Sequence, residues 1–225
     1  MRWCVSLILG AAVAASVGCN SATGPLAQTY LRSVNGSPNG PPLDVYVYGS
    51  RIVVNLSYAA STSYINIGSG PATVGVVATG DSLPIVSMPT TFKNHHWYTL
   101  VVFGAIDSLT ASVLVDSTTA PADSVRFRFI NGSPSDPSVD VYVKPMGDTL
   151  LPPAPSVTRV AFRSATGYIS TSPGSFEVIV TSAASGAVVL DDTLTNVPGG
   201  AVRTVIALDH SGGGPPLTAV NLGGT

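Results

Sequence analysis

Three histidines, His95, His96 and His210, are the side chains here best suited to proton transfer near neutral pH or to holding a transition metal. A metal needs ligands that converge, and adjacent residues of an extended chain point to opposite faces, so His95 and His96 do not reach one ion together. The expectation is an exposed turn ahead of "WYTLVVF" (97–103), and a loop position for His210 beside Asp209 and a glycine-rich run. Carboxylate pairs fare no better. Glu177 is the sole glutamate, and Asp191-Asp192 reads as a turn rather than as two groups facing across a cleft. "SPSDPSVD" brings Asp136 near Asp140, yet calcium takes several oxygens from one loop, and the similar stretch 37–44 keeps only Asp44. There is no G-x-S-x-G elbow, and the glycines at 212–214 lack a P-loop lysine. The expectation is therefore no catalytic residue, no metal site and no cofactor. Tyr46, Tyr48, Tyr58, Tyr64 and Tyr98 are left as rings that either stack on sugars or fill half-buried strands.

Chemistry of another kind sits at the N-terminus. "MRWCVSLILGAAVAASVGCN" has one cation, Arg2, then an uninterrupted apolar or small stretch from Cys4 to Val17, then Gly18-Cys19. Those fourteen residues fall short of the ~20 that span hydrocarbon, and the layout fits a secretory signal. "SVGC" resembles the cleavage site of a bacterial lipoprotein, although Ser16 stands where leucine is commoner. The resemblance implies that residues 1–18 are removed, that Cys19 becomes the lipidated N-terminus, and that residues 19–28 form a tether. An ordinary signal peptide cut near Ala15 is the alternative. Because Asn20 is not aspartate, the lipoprotein resemblance also implies the outer membrane of a two-membrane bacterium. The only cysteines are Cys4 and Cys19, so nothing beyond residue 19 can form a disulfide, a thiolate nucleophile or a cysteine zinc site.

The remaining elements are strands. Hydrophobic residues make up 45% of the chain and charged ones 10%, with two lysines and one glutamate, so surface-helix formers are almost absent while valine abounds. Net charge is −2 with scattered arginines, which excludes the clustered basic footprint of a nucleic-acid binder. The chain also repeats itself. At an offset of 96, Asn35-Gly36-Ser37-Pro38 meets Asn131-Gly132-Ser133-Pro134, and Asp44–Val47 meets Asp140–Val143. At 104, "YINIGSG" (64–70) meets "YISTSPG" (168–174); at 105, "YTLVV" (98–102) meets "RTVIA" (203–207). "KPMGDTLLPPAPSV" is a plain insertion in the second copy.

In copy one, "TYLRSV", "LDVYVY", "RIVVNLS", "ATVGVVA", "WYTLVVF" and "TASVLVD" read as strands, about seven to a copy, with turn residues between most of them. In "LDVYVYG", Leu43, Val45 and Val47 share the core face, opposite Asp44, Tyr46 and Tyr48. Asn-Gly reads as a turn needing positive φ, and the aspartate after it as an acceptor for N–H groups of that turn. "DSTTAPADS" (116–124) reads as a polar linker that few contacts cross. The fold class expected is all-β: two tandem small antiparallel, immunoglobulin-like β-sandwiches, residues 29–118 and 119–225, either leaning on each other or strung as beads.

Taken together, Asn35–Pro38, Asp44–Val47, Tyr64–Gly70 and Tyr98–Val102, with their second copies, resemble the DUF4397 module, a domain of unknown function common in bacterial envelope and secreted proteins. Arg203 departs from the pattern, standing where the late tyrosine belongs. The resemblance implies a β-sandwich-like envelope domain and supplies no catalytic residues. The function expected is a non-enzymatic, lipid-anchored envelope protein in a scaffold or adhesion role. The alternative is an envelope carbohydrate-binding module using the strand tyrosines. Partners expected are the membrane, through the anchor, and other envelope proteins or polysaccharide.

Overall fold

Two kinds of strand pattern divide the chain. Segments such as Trp97–Phe103 are apolar almost throughout, as befits strands buried on both faces, whereas Pro84–Phe92 alternates and buries one face only. The computed structural model describes residues 28–224. The expected signal peptide, Cys19 and all but the last residue of the expected tether lie outside the described residues.

The first eight strands are β1 (Thr29–Gly36), β2 (Leu43–Val47), β3 (Ser50–Leu56), β4 (Ile65–Ile67), β5 (Gly70–Ala78), β6 (Pro84–Phe92), β7 (Trp97–Phe103) and β8 (Thr110–Val115). They form two sheets, ordered β4-β1-β7-β8 and β3-β2-β5-β6. Leu31, Leu100 and Val102 of the first sheet pack on Leu43, Val45, Val74 and Phe92 of the second, which makes one sandwich core. The next eight are β9 (Val125–Asn131), β10 (Ser138–Pro145), β11 (Val157–Ala161), β12 (Ile169–Thr171), β13 (Gly174–Ser182), β14 (Val188–Val197), β15 (Val202–Leu208) and β16 (Thr218–Gly223). Their sheets, β12-β9-β15-β16 and β11-β10-β13-β14, repeat the same order, with a second core around Phe127, Val141, Val178 and Val205.

The all-β class holds, with two refinements. Each sandwich contains one parallel pair, β1 with β7 and β9 with β15, among antiparallel ones. A parallel pair needs a long crossover, and the five strands between β1 and β7 provide it. Each sandwich also has eight strands rather than about seven. The short β4 leaves little periodicity to detect, and Pro84 and Pro89 mask β6, which tolerates them because it is an edge strand.

The two sandwiches do not hang as beads. Val34, Val101 and Phe103 from the first and Ile130, Ile206, Leu208, Val220 and Leu222 from the second form a third buried cluster. The sheets that contain β1 and β9 therefore pack on one another through their second faces. A single module of this size buries a modest core, and mutual burial supplies the rest.

Candidate functional site

The segment expected to be crossed by few contacts starts with the most connected polar residue at the junction. Asp116 directly follows β8, and its side chain is fully buried. Its Oδ2 accepts the hydroxyls of Tyr64 at 2.6 Å and Thr99 at 2.5 Å, and its Oδ1 accepts Arg128 Nη2 of the second sandwich at 2.5 Å. Arg32 Nη2 lies 3.6 Å from Oδ2. The linker reading fails because a polar stretch was equated with a solvated one; here the aspartate is the counter-charge for two buried guanidiniums.

The arginines are used reciprocally. Arg32 Nη1 donates to the Gly223 carbonyl at 2.5 Å, and Arg128 Nη1 donates to the Val115 carbonyl at 3.0 Å. Gly223 and Val115 each end the last strand of the opposite sandwich. Arg32 lies over the Tyr64 ring at 4.6 Å and Arg128 over the Tyr168 ring at 5.1 Å, so aromatic faces supply part of the missing negative charge. Burial lowers the Arg32 pKa, and Asp116 partly opposes that shift. Burial and the neighbouring carboxylate push the Tyr64 hydroxyl well above the usual phenol range, which keeps it a hydrogen-bond donor. Sequence reasoning missed this assembly. Its signal was present: Arg32 recurs as Arg128 at the same offset, 96, as the Asn-Gly-Ser-Pro doublet.

That doublet also does its work at the junction. Neither Gly36 nor Gly132 has positive φ, so the expected turn chemistry is not the reason for glycine. A Cβ on Gly36 would stand 2.6 Å from the Val102 carbonyl and 2.8 Å from Leu208 Cδ2, and one on Gly132 would stand 2.5 Å from the same Cδ2. Both glycines permit close approach where the sandwiches meet. Beside them, Asn35 and Asn131 are buried; each side-chain oxygen accepts the N–H two residues on, and each amide reaches a β3 or β11 carbonyl (Leu56 or Val160). The aspartates do not accept from the preceding turn. Asp44 Oδ1 takes the Asn55 N–H at 2.8 Å and Asp140 Oδ1 the Arg159 N–H at 2.7 Å, where both donors have positive φ. They brace the strand that follows in sequence.

The remaining candidates disperse. His95 is exposed at positive φ in the turn before β7, and His96 Nδ1 lies 2.8 Å from the Asn94 carbonyl. His210 is an exposed loop residue whose Nδ1 accepts the Gly212 N–H at 3.0 Å. Asp191 and Asp192 lie within β14 rather than in a turn, and Asp192 accepts an N–H of the Asn221 side chain at 2.7 Å. Glu177 pairs with Lys144. Asp136 is buried near Asn131, away from the Asp140 brace. Among the described residues no three His, Cys, Asp or Glu side chains are grouped to hold a metal.

Of the five tyrosines expected on strands, only Tyr46 and Tyr98 lie in one; Tyr64 is in the junction, and Tyr98 is buried with its oxygen accepting the Lys93 N–H. The Tyr58 hydroxyl donates to the Asp209 carbonyl of the other sandwich. Tyr48 forms the β2–β3 turn with Gly49, both at positive φ, and its hydroxyl donates to the Gly68 carbonyl. Tyr46 alone stands half-buried on an outer sheet face with its hydroxyl unengaged among the described residues.

These features define a pair of β-sandwiches joined face to face through a buried polar junction. The chain belongs to the family described as "Domain of unknown function (DUF4397)", which matches residues 29–142. No curated protein matches it. Among solved structures it is similar to a streptococcal virulence factor studied for alpha-glucan binding, at 13% identity and TM-score 0.27, covering 79% of this chain and 92% of that one. It is also similar to CBMbc, a family CBM26 module of Eubacterium rectale Amy13K solved with maltoheptaose, at 11% identity and TM-score 0.28, covering 86% and 96%. TM-scores this low carry no inference about ligand.

Proposed function

We propose that this chain is a non-enzymatic, lipid-anchored envelope protein that acts as a rigid scaffold or adhesion element, with its second sandwich a further copy of the DUF4397 module. The observation that carries the reading is the buried junction. Arg32, Asp116 and Arg128, with the apolar cluster around Phe103 and Leu208, fix two sandwiches back to back and turn their other sheets outward. A body of this kind holds two faces at a set distance and angle, which suits presentation rather than turnover. The signal-like N-terminus ending at Cys19 supports a membrane anchor, and Asn20 after it supports the outer membrane as the site. Metabolic labelling with a fatty acid tests the anchor: the native chain takes up label and Cys19→Ala does not. Equal labelling of both overturns it.

A second reading, carbohydrate binding by the same body, is favoured by Tyr46. Of the five tyrosines singled out in the first copy, it is the one whose ring and hydroxyl are not committed to the fold. Envelope polysaccharide is then the partner, and the anchored scaffold presents the binding face.

A further inference from the structure

The outer face of the β3-β2-β5-β6 sheet contains a glycine that the fold does not require. Gly75 lies in the middle of β5, where glycine weakens a strand relative to alanine. Its φ is not positive, and a Cβ there would meet only Tyr46 Cβ, at an ordinary 3.6 Å. The second sandwich accepts a large side chain at the same place. Tyr46 pairs with Gly75 and Gly75 with Ser87, while in the second copy Tyr142 pairs with Ile179 and Ile179 with Asp191. A strand glycine with no backbone reason marks a place where something else approaches closely.

What the glycine opens is a trough between Tyr46 and Ser87, two strand spacings or about 10 Å apart at the backbone. It belongs to a cleft of about 360 Å³, within the ~300–1,000 Å³ of small-molecule sites. The Tyr46 ring walls one side. Thr73, Ser82 and Ser87 offer hydroxyls that both donate and accept, and Asp81 offers an acceptor. No cation is among the lining side chains; the nearest, Arg51 across from Tyr46 on β3, is paired with Asp44. The corresponding face of the second sandwich has Ile179 in the trough and the Lys144–Glu177 ion pair beside it.

We propose that this trough is a binding site for a neutral hexopyranose chain. The assignment rests on the carbohydrate reading above and names its place. A pyranose offers a C–H face to an aromatic ring and a rim of hydroxyls that pair with serine, threonine and carboxylate groups. The Asp81 carboxylate, with no lysine or arginine among the lining side chains and the neighbouring Arg51 already paired with Asp44, selects against uronate, sialylated or phosphorylated glycans. The first sandwich alone provides the site.

The test is calorimetric titration of the full chain with maltoheptaose, cellohexaose, laminarihexaose and xylohexaose, each up to about 10 mM, the weak end of the affinity range that a single stacked ring supports. Binding of at least one probe is expected. Tyr46→Ala and Gly75→Ile each lower that affinity about tenfold or more, the scale of one lost aromatic contact, and Tyr142→Ala leaves it unchanged. Gly75→Ile imports the residue that the second sandwich already carries, so loss of binding with an unchanged melting temperature identifies a filled trough rather than a damaged fold. Binding that survives both variants overturns this site and leaves the carbohydrate reading standing. No binding of any probe overturns both, and the anchored scaffold remains.

Discussion

Thr99 and Thr204 occupy equivalent positions in the two sandwiches, offset by 105, and each faces an arginine across a parallel strand pair, Arg32 or Arg128. Their circumstances differ. The Thr99 hydroxyl donates to Asp116 and accepts Arg32 Nε at 2.8 Å, whereas Thr204 Oγ1 and Arg128 Nε are buried without a partner. The difference traces to one residue, because the position corresponding to Asp116, 108 further on, is Gly224. The same logic runs the other way at Ser37. Its buried hydroxyl has no partner, while Ser133 donates to Asp209, and the first sandwich has Gly104 in place of that aspartate. A buried hydroxyl without a partner costs roughly 1–3 kcal/mol, so the same substitution has opposite signs at the two threonines. Thr99→Val is expected to lower stability by about 1–3 kcal/mol, and Thr204→Val to leave it unchanged or raise it by about 1 kcal/mol. Urea unfolding of the two variants, with a shared m-value, reads the difference directly.

At the scale of elements, each Asp-Val-Tyr-Val strand is tied to the irregular strand after it through its aspartate. Asp44 is the more engaged of the two. It accepts the Thr79 hydroxyl at 2.6 Å, the Asn55 N–H and Arg51 Nη1 at 3.1 Å, and these bonds, the threonine's first, hold its carboxyl below the usual carboxylate range. A carboxyl lowered in the folded state stabilises fully above its unfolded pKa, near 3.9, and that contribution is lost as pH falls through the folded value. The urea midpoint of the native chain should therefore drop more steeply than that of Asp44→Asn from about pH 5 downward. Parallel slopes would remove Asp44 from the acid sensitivity. The strand itself was legible in the sequence, because Leu43, Val45 and Val47 alternate cleanly; the brace was not, because its donors come from Asn55 and Thr79, whose backbones come near only once β3 and β5 have paired. β6 was illegible for a local reason, its two prolines. The apolar runs of β7 and β15 did carry a signal that both faces are covered, although a run cannot say by what. Gly36 and Gly132 were visible as a motif, but a turn and a close approach call for the same residue. For the trough, the tyrosines were legible as a set; that Tyr46 alone stays available depends on where the other four hydroxyls found partners.

At the scale of the whole molecule, the duplicated sequence has become a pseudo-symmetric dimer within one chain. Each arginine reaches the end of the other sandwich's last strand, and the apolar residues between them come from matching positions, Val34 with Ile130 and Val101 with Ile206. Reciprocal contacts of this kind are how two copies of one subunit meet across a twofold axis. The electrostatics is not symmetric. One carboxylate, Asp116, serves two buried guanidiniums, so its removal leaves two charges without a counter-ion rather than one. Breaking a buried pair by removing one partner costs about 3–5 kcal/mol, and the loss falls on the junction through Arg128 and on the first sandwich through Tyr64, Thr99 and Arg32. The native chain without residues 1–18, and so without Trp3, is expected to unfold in one transition, with equal calorimetric and van't Hoff enthalpies and coincident urea curves from tryptophan emission, which then reports Trp97 of the first sandwich, and far-ultraviolet dichroism, which reports both. Asp116→Asn keeps the size of the side chain and discards the charge. It should lower the midpoint and separate the two curves, because sandwiches no longer held by the junction melt at their own stabilities. Curves that stay coincident in the variant would mean that the apolar cluster around Phe103 and Leu208 couples the sandwiches without the charge, and that the buried aspartate sets their register rather than their cooperativity.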